Sequence, residues 1–128
     1  MTKHRRHKTH LPAKFLFETP EENLIAGILR QAWCDAFAGK VENIYAQEHR
    51  NRDRKEAVKM FEADCENEWR KSLAYLTDAI QIDEFLLVEG YFKYKGLIQA
   101  TGKKRPKPAE AFDALLKILM TRKGDTNE

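Results

Sequence analysis

The clearest helix signal in this chain lies in residues 19–37, which read TPEENLIAGILRQAWCDAF. Thr19 and Glu22 have the spacing of a capping box, and Pro20 stands at the first helical position, where its missing N–H costs no hydrogen bond. We therefore predict a first helix over residues 20–38, ended by Gly39 in a left-handed cap. The apolar residues behind the cap recur at helical spacing and predict one wide stripe: Leu24, Ile25, Ile28, Leu29, Ala32, Trp33, Ala36 and Phe37.

Working towards the C-terminus, the periodicity predicts further helical segments. We expect one over residues 41–48, a charged run over 49–55, and a helix over 53–63. Asp64 or Asn67 has the right chemistry to cap the next helix. Its predicted apolar contacts follow spacings of four, three and four: Trp69, Leu73, Leu76 and Ile80.

Asp83 is predicted to cap a helix that runs to residue 98, and a last amphipathic helix is predicted over 108–121. Gly90 lies inside the first of these and indicates either a kink or a close helix contact. The apolar residues expected to fill the two helices are Phe85, Leu86, Val88, Tyr91, Phe92, Tyr94, Phe112, Leu115, Leu116 and Leu119.

The fold class predicted from these segments is all-α. No pair of β-branched runs alternates with period two around a turn signal, which argues against a sheet. We predict a compact bundle of about five helices with a helix-turn-helix-like pair. Residues 1–14 are expected to form a flexible basic arm, residues 15–121 a single helical domain, and residues 122–128 a frayed tail.

Composition indicates a globular protein of the cytoplasm. The 128 residues are 42% hydrophobic and 34% charged, and no apolar run approaches the roughly 20 residues of a membrane span. The charged N-terminus lacks the apolar stretch of a secretory signal. Cys34 and Cys65 are far apart in sequence, and without an export signal two reduced thiols are favoured over a disulfide.

Positive charge is concentrated in two short segments. Residues 1–14 carry +5 and residues 101–108 carry +4, both without any acidic residue, while the rest of the chain sums to −6. A mildly acidic body with two basic segments can present cations to phosphates without making its whole surface adhesive.

No motif for catalysis or for a cofactor is present. The sequence has no phosphate-binding glycine loop and no H-E-x-x-H pair, and its only serine, Ser72, lies in an amphipathic helix. We therefore predict a protein that is not an enzyme and that needs no cofactor. His4, His7 and His10 are better explained as part of a solvated basic tail than as metal ligands, because no cysteine lies nearby to complete a site. The carboxylates Glu62, Asp64, Glu66 and Glu68 are interpreted as helix-capping groups rather than as a cation site.

Two segments indicate nucleic-acid binding. Residues 72–89 have the spacing of a helix-turn-helix whose inward-facing residues are expected to be Leu73, Leu76, Ile80, Ile82 and Phe85. Asp83 and Glu84 would repel phosphates at the start of the second helix, so a structural hairpin is at least as well supported. Lys93 and Lys95 alternate with tyrosines and phenylalanine, a pattern that can bind a phosphate backbone and stack on bases. The alternative is that Phe92 lies in the core and the two lysines extend into water. The predicted nucleic-acid-binding residues are Arg5, Arg6, Lys8, Lys93, Lys95, Lys103, Lys104, Arg105 and Lys107.

The chain also resembles small helical proteins of uncharacterised function that bacteriophages, prophages and mobile elements encode. The resemblance covers residues 24–98 and lies in the order of ILRQAWCD (28–35), AVKMFE (57–62), SLAYL (72–76) and IQID (80–83). It implies a bacterial or phage setting and an auxiliary role around nucleic acid. The resulting prediction is a non-enzymatic accessory protein that binds DNA or RNA, and the alternative is a protein-interaction or assembly module, such as a homodimer.

Overall fold

The computed structural model describes residues 17–38, 44–100 and 106–126. This part of the chain forms a bundle of five helices and contains no strand, which confirms the all-α prediction. The predicted arm, residues 1–14, lies outside the described residues. The helices are α1 (Pro20–Ala36), α2 (Ile44–Glu62), α3 (Glu68–Ala79), α4 (Glu84–Ala100) and α5 (Pro108–Thr126).

The centre of the core is Trp33 of α1, which is 1% exposed. Its ring lies 5.6–5.9 Å, centroid to centroid, from aromatic rings on three other helices: Phe61 of α2, Tyr91 and Tyr94 of α4, and Phe112 of α5. Most of these pairs are tilted or edge-on, the arrangement that aromatic quadrupoles favour. One indole therefore holds four of the five helices together.

The start of α1 matches its prediction, whereas its end and its apolar stripe do not. Thr19 and Glu22 form the capping box, and Pro20 is the first helical residue. The helix ends at Ala36 rather than at 38, because the N–H of Phe37 turns back to the carbonyl of Cys34 and the Phe37 ring enters the aromatic core. The predicted stripe is too wide, since Leu24 and Ile28 are exposed.

A single helix, α2, replaces the two segments predicted around the charged run 49–55. That run contains no proline or glycine, and its arginine and lysine residues are good helix formers. The described core residues of α2, Ala57, Met60 and Phe61, lie in its C-terminal half. Arg54 also donates to the carbonyl of Ala38 at 3.0 Å, which ties the charged half of α2 to the end of α1.

The connection between α3 and α4 contains the residue with the least common backbone conformation. Ile80 and Ile82 are buried on either side of Gln81, which has a φ of 61°. Asp83 caps α4 as predicted, its Oδ1 accepting from the N–H groups of Phe85 and Leu86. The prediction that Phe85 faces inward is wrong, because the ring is 65% exposed.

α4 and α5 pack closely at Gly90, which confirms the predicted close helix contact. A Cβ atom at this position would collide with the side chain of Leu115. Phe92, expected in the core, is exposed instead.

α5 continues to Thr126, past its predicted end at 121. Across the residues described, none of the helices combines the length and the apolar character that crossing a membrane requires.

Candidate nucleic-acid interface

The two predicted lysines of α4 have different surroundings. Lys93 is 77% exposed, and its Nζ lies 3.8 Å from a carboxylate oxygen of Glu89, one turn earlier on the same helix. An exposed pair at this distance is worth little and opens readily. Lys95 is half-buried and donates at 2.6 Å to Oε2 of Glu62 on α2. Lys93 is therefore available to an external anion, whereas Lys95 already has an internal partner.

Glu62 accepts two hydrogen bonds at one oxygen. The hydroxyl of Tyr91 donates to Oε2 at 2.7 Å, beside the bond from Lys95. Burial by itself raises the pKa of Glu62, but the bonds from Lys95 and Tyr91 outweigh it and hold the pKa below its usual value. Burial, together with the bond to Glu62, raises the pKa of Tyr91. Glu62 is thus ionised and joins the end of α2 to the middle of α4.

Pro106 anchors the described end of the basic 103–107 segment. Its carbonyl accepts a 2.7 Å hydrogen bond from the hydroxyl of Tyr94, the residue between Lys93 and Lys95 in α4. Lys107 follows directly, is exposed, and precedes the first residue of α5. The structure therefore attaches one end of this segment to α4. The other predicted site residues lie outside the described part of the chain: Arg5, Arg6, Lys8, Lys103, Lys104 and Arg105.

A set of exposed cations on α2 was missed by the sequence reasoning. Arg52, Lys55 and Lys59 recur at spacings of three and four, which places them on one face of the helix, and all three are exposed. We call these residues the α2 basic stripe. The prediction of a helix break within residues 49–55 concealed it, and the continuous run of helix-forming residues was the signal that would have revealed it.

The α2 basic stripe ends near Glu62, the residue that joins α2 to α4. Glu62 follows Lys59 by one helical turn and carries the bond to Lys95. From Arg52 to Glu62 the rise along the helix is about 15 Å. The imidazole Nδ1 of His49 lies 2.6 Å from Nη2 of Arg52 at the opposite end of the stripe. Glu62 joins the end of α2 to α4, and the Tyr94–Pro106 bond joins α4 to the segment before α5. We take the exposed cations of these three elements together as the candidate interface.

Other arginines serve the fold rather than a surface. Arg30 of α1 forms a two-pronged ion pair with Asp113 of α5, with N···O distances of 2.9 and 3.0 Å. Arg70 is buried and pairs with Glu84 at the start of α4. The first pair links α1 to α5 and the second links α3 to α4, so these two arginines already have internal partners.

The first turn of α4, where a recognition helix would meet bases, is occupied by internal contacts. Asp83 caps the helix and Glu84 is held by Arg70. The first basic residue of α4 is Lys93, more than two turns further on. This arrangement favours a structural role for the α3–α4 pair over the reading of a groove.

An acidic groove of about 250 Å³ lies between α1, α2 and α3. Asp35, Asp53 and Glu56 are among its lining residues, with Met60 and Trp69. Burial raises the pKa of Asp35; a bond from Gln31 opposes this rise, and the nearby Asp53 adds to it. A phosphate backbone would be repelled by this surface.

The chemistry available elsewhere in the described residues is limited. They contain no group of three or more histidine, cysteine, aspartate or glutamate side chains placed to hold a metal ion. Both cysteines are free, and burial raises the pKa of Cys34, so that its thiol is protonated at neutral pH. In comparisons with known proteins, no family model, no curated protein and no solved structure matches this chain.

Proposed function

We propose that this chain is a non-enzymatic accessory protein of the phage or mobile-element kind, which acts in the cytoplasm and binds the backbone of DNA or RNA. The observation that carries the proposal is the 2.7 Å bond from Tyr94 to the carbonyl of Pro106. It anchors the end of the most basic internal segment to the helix that carries Lys93. Cations from separate parts of the sequence then act on the same phosphates.

The charge balance supports recognition of the backbone rather than of bases. The exposed described cations of the interface are mostly lysines, which act on phosphates as point charges, and the start of α4 carries acidic residues. The acidic groove between α1, α2 and α3 disfavours a second binding face on that side. Binding of this kind releases counterions, so its affinity falls steeply with salt.

The α2 basic stripe gives the interface its length. Arg52 and Lys59 are seven residues apart, a rise of about 10 Å along the helix. Phosphates follow one another at about 3.4 Å of axial rise on each strand of duplex DNA, so the stripe spans about three of them. With Lys93 and Lys107, the described residues supply five exposed cations.

The test is a fluorescence-anisotropy titration of the full chain with short duplex and single-stranded DNA and RNA, at low and near-physiological salt. Alanine at Lys103, Lys104, Arg105 and Lys107 is expected to weaken binding at least tenfold. A narrower pair of variants controls for net charge: K93A/K107A removes two interface cations, and K71A/K117A removes two exposed cations outside it. The proposal fails if the two double variants bind alike, or if the wild-type chain does not bind at low salt.

The alternative function is a protein-interaction or assembly module. It is favoured by a separate observation, the exposed apolar side chains Phe85, Phe92 and Leu97 on α4. Lys93 of the basic interface follows Phe92 in α4, so the two functions involve neighbouring residues.

A further inference from the structure

α4 carries an apolar stripe that the described bundle leaves uncovered. Phe85 is 65% exposed and Phe92 is 45% exposed, and both lie on one face of the helix with Gly96. The spacings of seven and four residues are those of a seam between two packed helices. A Cβ atom at Gly96 would meet nothing within 4 Å, so the space above this glycine is open. We call Phe85, Phe92 and Gly96 the α4 seam.

We propose that the α4 seam binds a second copy of this chain, with the two α4 helices antiparallel. The two-fold axis crosses the seam midway between Phe85 and Gly96, at the level of Gly90 and Tyr91 along the helix. In such a pair, a residue at position n faces a residue near position 181 − n of the other copy. Phe85 then packs over Gly96 of the second copy, and the same contact recurs on the other side of the axis. A bulky ring at one end of a helix and an empty position at the other make this surface self-complementary.

The charged residues beside the α4 seam complement each other in the same arrangement. Glu89 and Lys93 lie on the same flank of the seam at helical spacing, and both are exposed. When two identical helices pack antiparallel, each side of the seam in one copy lies beside the same side in the other copy. Glu89 of one copy therefore meets Lys93 of the other. Their contact within one helix is long, at 3.8 Å, so replacing it with contacts between the two copies costs little free energy.

Phe85 is already positioned for this contact. The guanidinium of Arg70 lies 5.7 Å from the centre of its ring, and Arg70 is held in turn by Glu84. A side chain ordered before association loses less conformational entropy on binding. A single helix pair buries less than a standard interface, and we expect a dissociation constant in the micromolar range.

The first experiment is sedimentation velocity of the full chain from low micromolar to several hundred micromolar. We expect the sedimentation coefficient to rise with concentration. Gly96→Leu fills the space that receives Phe85 and is expected to weaken association at least tenfold, while its melting temperature at low concentration does not fall. Ala114→Leu is the matched control, because it adds the same kind of bulk to an exposed position on α5 and should leave association unchanged.

The second experiment uses charge reversal. Glu89→Lys and Lys93→Glu should each abolish self-association, because like charges then meet across the axis. An equimolar mixture of the two variants should associate, since every crossed pair is again opposite in charge. Glu66→Lys and Lys71→Glu make the same charge changes at exposed positions outside α4 and serve as controls.

The mixture shows whether the single variants fail to associate because of charge repulsion or because they are unfolded. An unfolded variant would still fail to associate in the mixture. Association of the mixture without self-association of either variant supports the antiparallel pair. The proposal is overturned by a chain that stays monomeric throughout the concentration range, by association that Gly96→Leu leaves intact, or by a mixture that fails to associate.

Discussion

The hydroxyl of Tyr91 donates a 2.7 Å hydrogen bond to Oε2 of Glu62, joining two helices whose bonded residues are 29 positions apart. The Tyr91 ring is buried and stacks on Phe61, with the two planes 4° from parallel. Tyr91→Phe keeps the stack and removes only the hydroxyl, so we expect a loss of about 1 kcal/mol in the free energy of unfolding. Urea denaturation measures it, and Tyr75→Phe, at an exposed tyrosine, should cost almost nothing.

The same carboxylate makes stability depend on pH. The pKa of Glu62 in the folded protein is lower than the ordinary value of about 4.5, so its contribution is present above pH 4.5 and is lost as the pH falls through the lowered value. Wild type should be more stable than Glu62→Gln at pH 7, and this difference should shrink below pH 4.5. Urea titrations of both proteins from pH 7 to pH 3 measure it. A difference that stays constant over that range would contradict this assignment.

Gly90 and Gly27 should respond in opposite directions to the same substitution. Both lie inside helices, where alanine is favoured over glycine by about 1 kcal/mol. A Cβ atom at Gly27 meets nothing within 4 Å, whereas one at Gly90 collides with Leu115. Gly27→Ala should therefore stabilise the protein. Gly90→Ala should destabilise it, because overpacking costs about 1–3 kcal/mol and outweighs the gain in helix propensity. Thermal unfolding of the two variants provides the comparison.

Gln81 has a φ of 61° in the turn between α3 and α4. Glycine adopts this conformation without a steric cost, so Gln81→Gly should stabilise the fold by about 0.5–1 kcal/mol. Valine is branched at Cβ and disfavours the left-handed region still more, so Gln81→Val should destabilise it. Chemical denaturation would show the two effects, and equal stabilities would indicate that the turn relaxes.

The salt dependence of nucleic-acid binding should report the α2 basic stripe. Each phosphate contact adds about 0.9 to the slope of log affinity against log salt for duplex DNA. Replacing Arg52, Lys55 and Lys59 with glutamine should therefore make the salt dependence shallower, reducing the magnitude of the slope by up to about 2.7. The control variant R50Q/K71Q/K117Q loses the same charge at exposed positions outside the stripe and should retain its slope. Equal slopes for the two variants would remove α2 from the interface.

Helix beginnings could be predicted from the sequence because they depend on residues within one turn of each other. The capping box of Thr19 and Glu22 and the N-cap at Asp83 form as predicted, and Asn67, one of the two candidates, caps α3. The charged run before Ala57 misled the prediction, since polarity was interpreted as a break although the residues themselves favour a helix.

The sequence alone therefore determined that the chain is helical and where most helices start, because capping and periodicity are local. Only the tertiary structure decided which apolar faces are covered, leaving Phe85 and Phe92 exposed while Trp33 is enclosed. It also decided which lysine has a partner on another helix: Lys95 binds Glu62 of α2, 33 residues away, while Lys93 pairs only with Glu89 of its own helix. Such contacts depend on how the helices pack against one another, and no short segment of sequence contains that information.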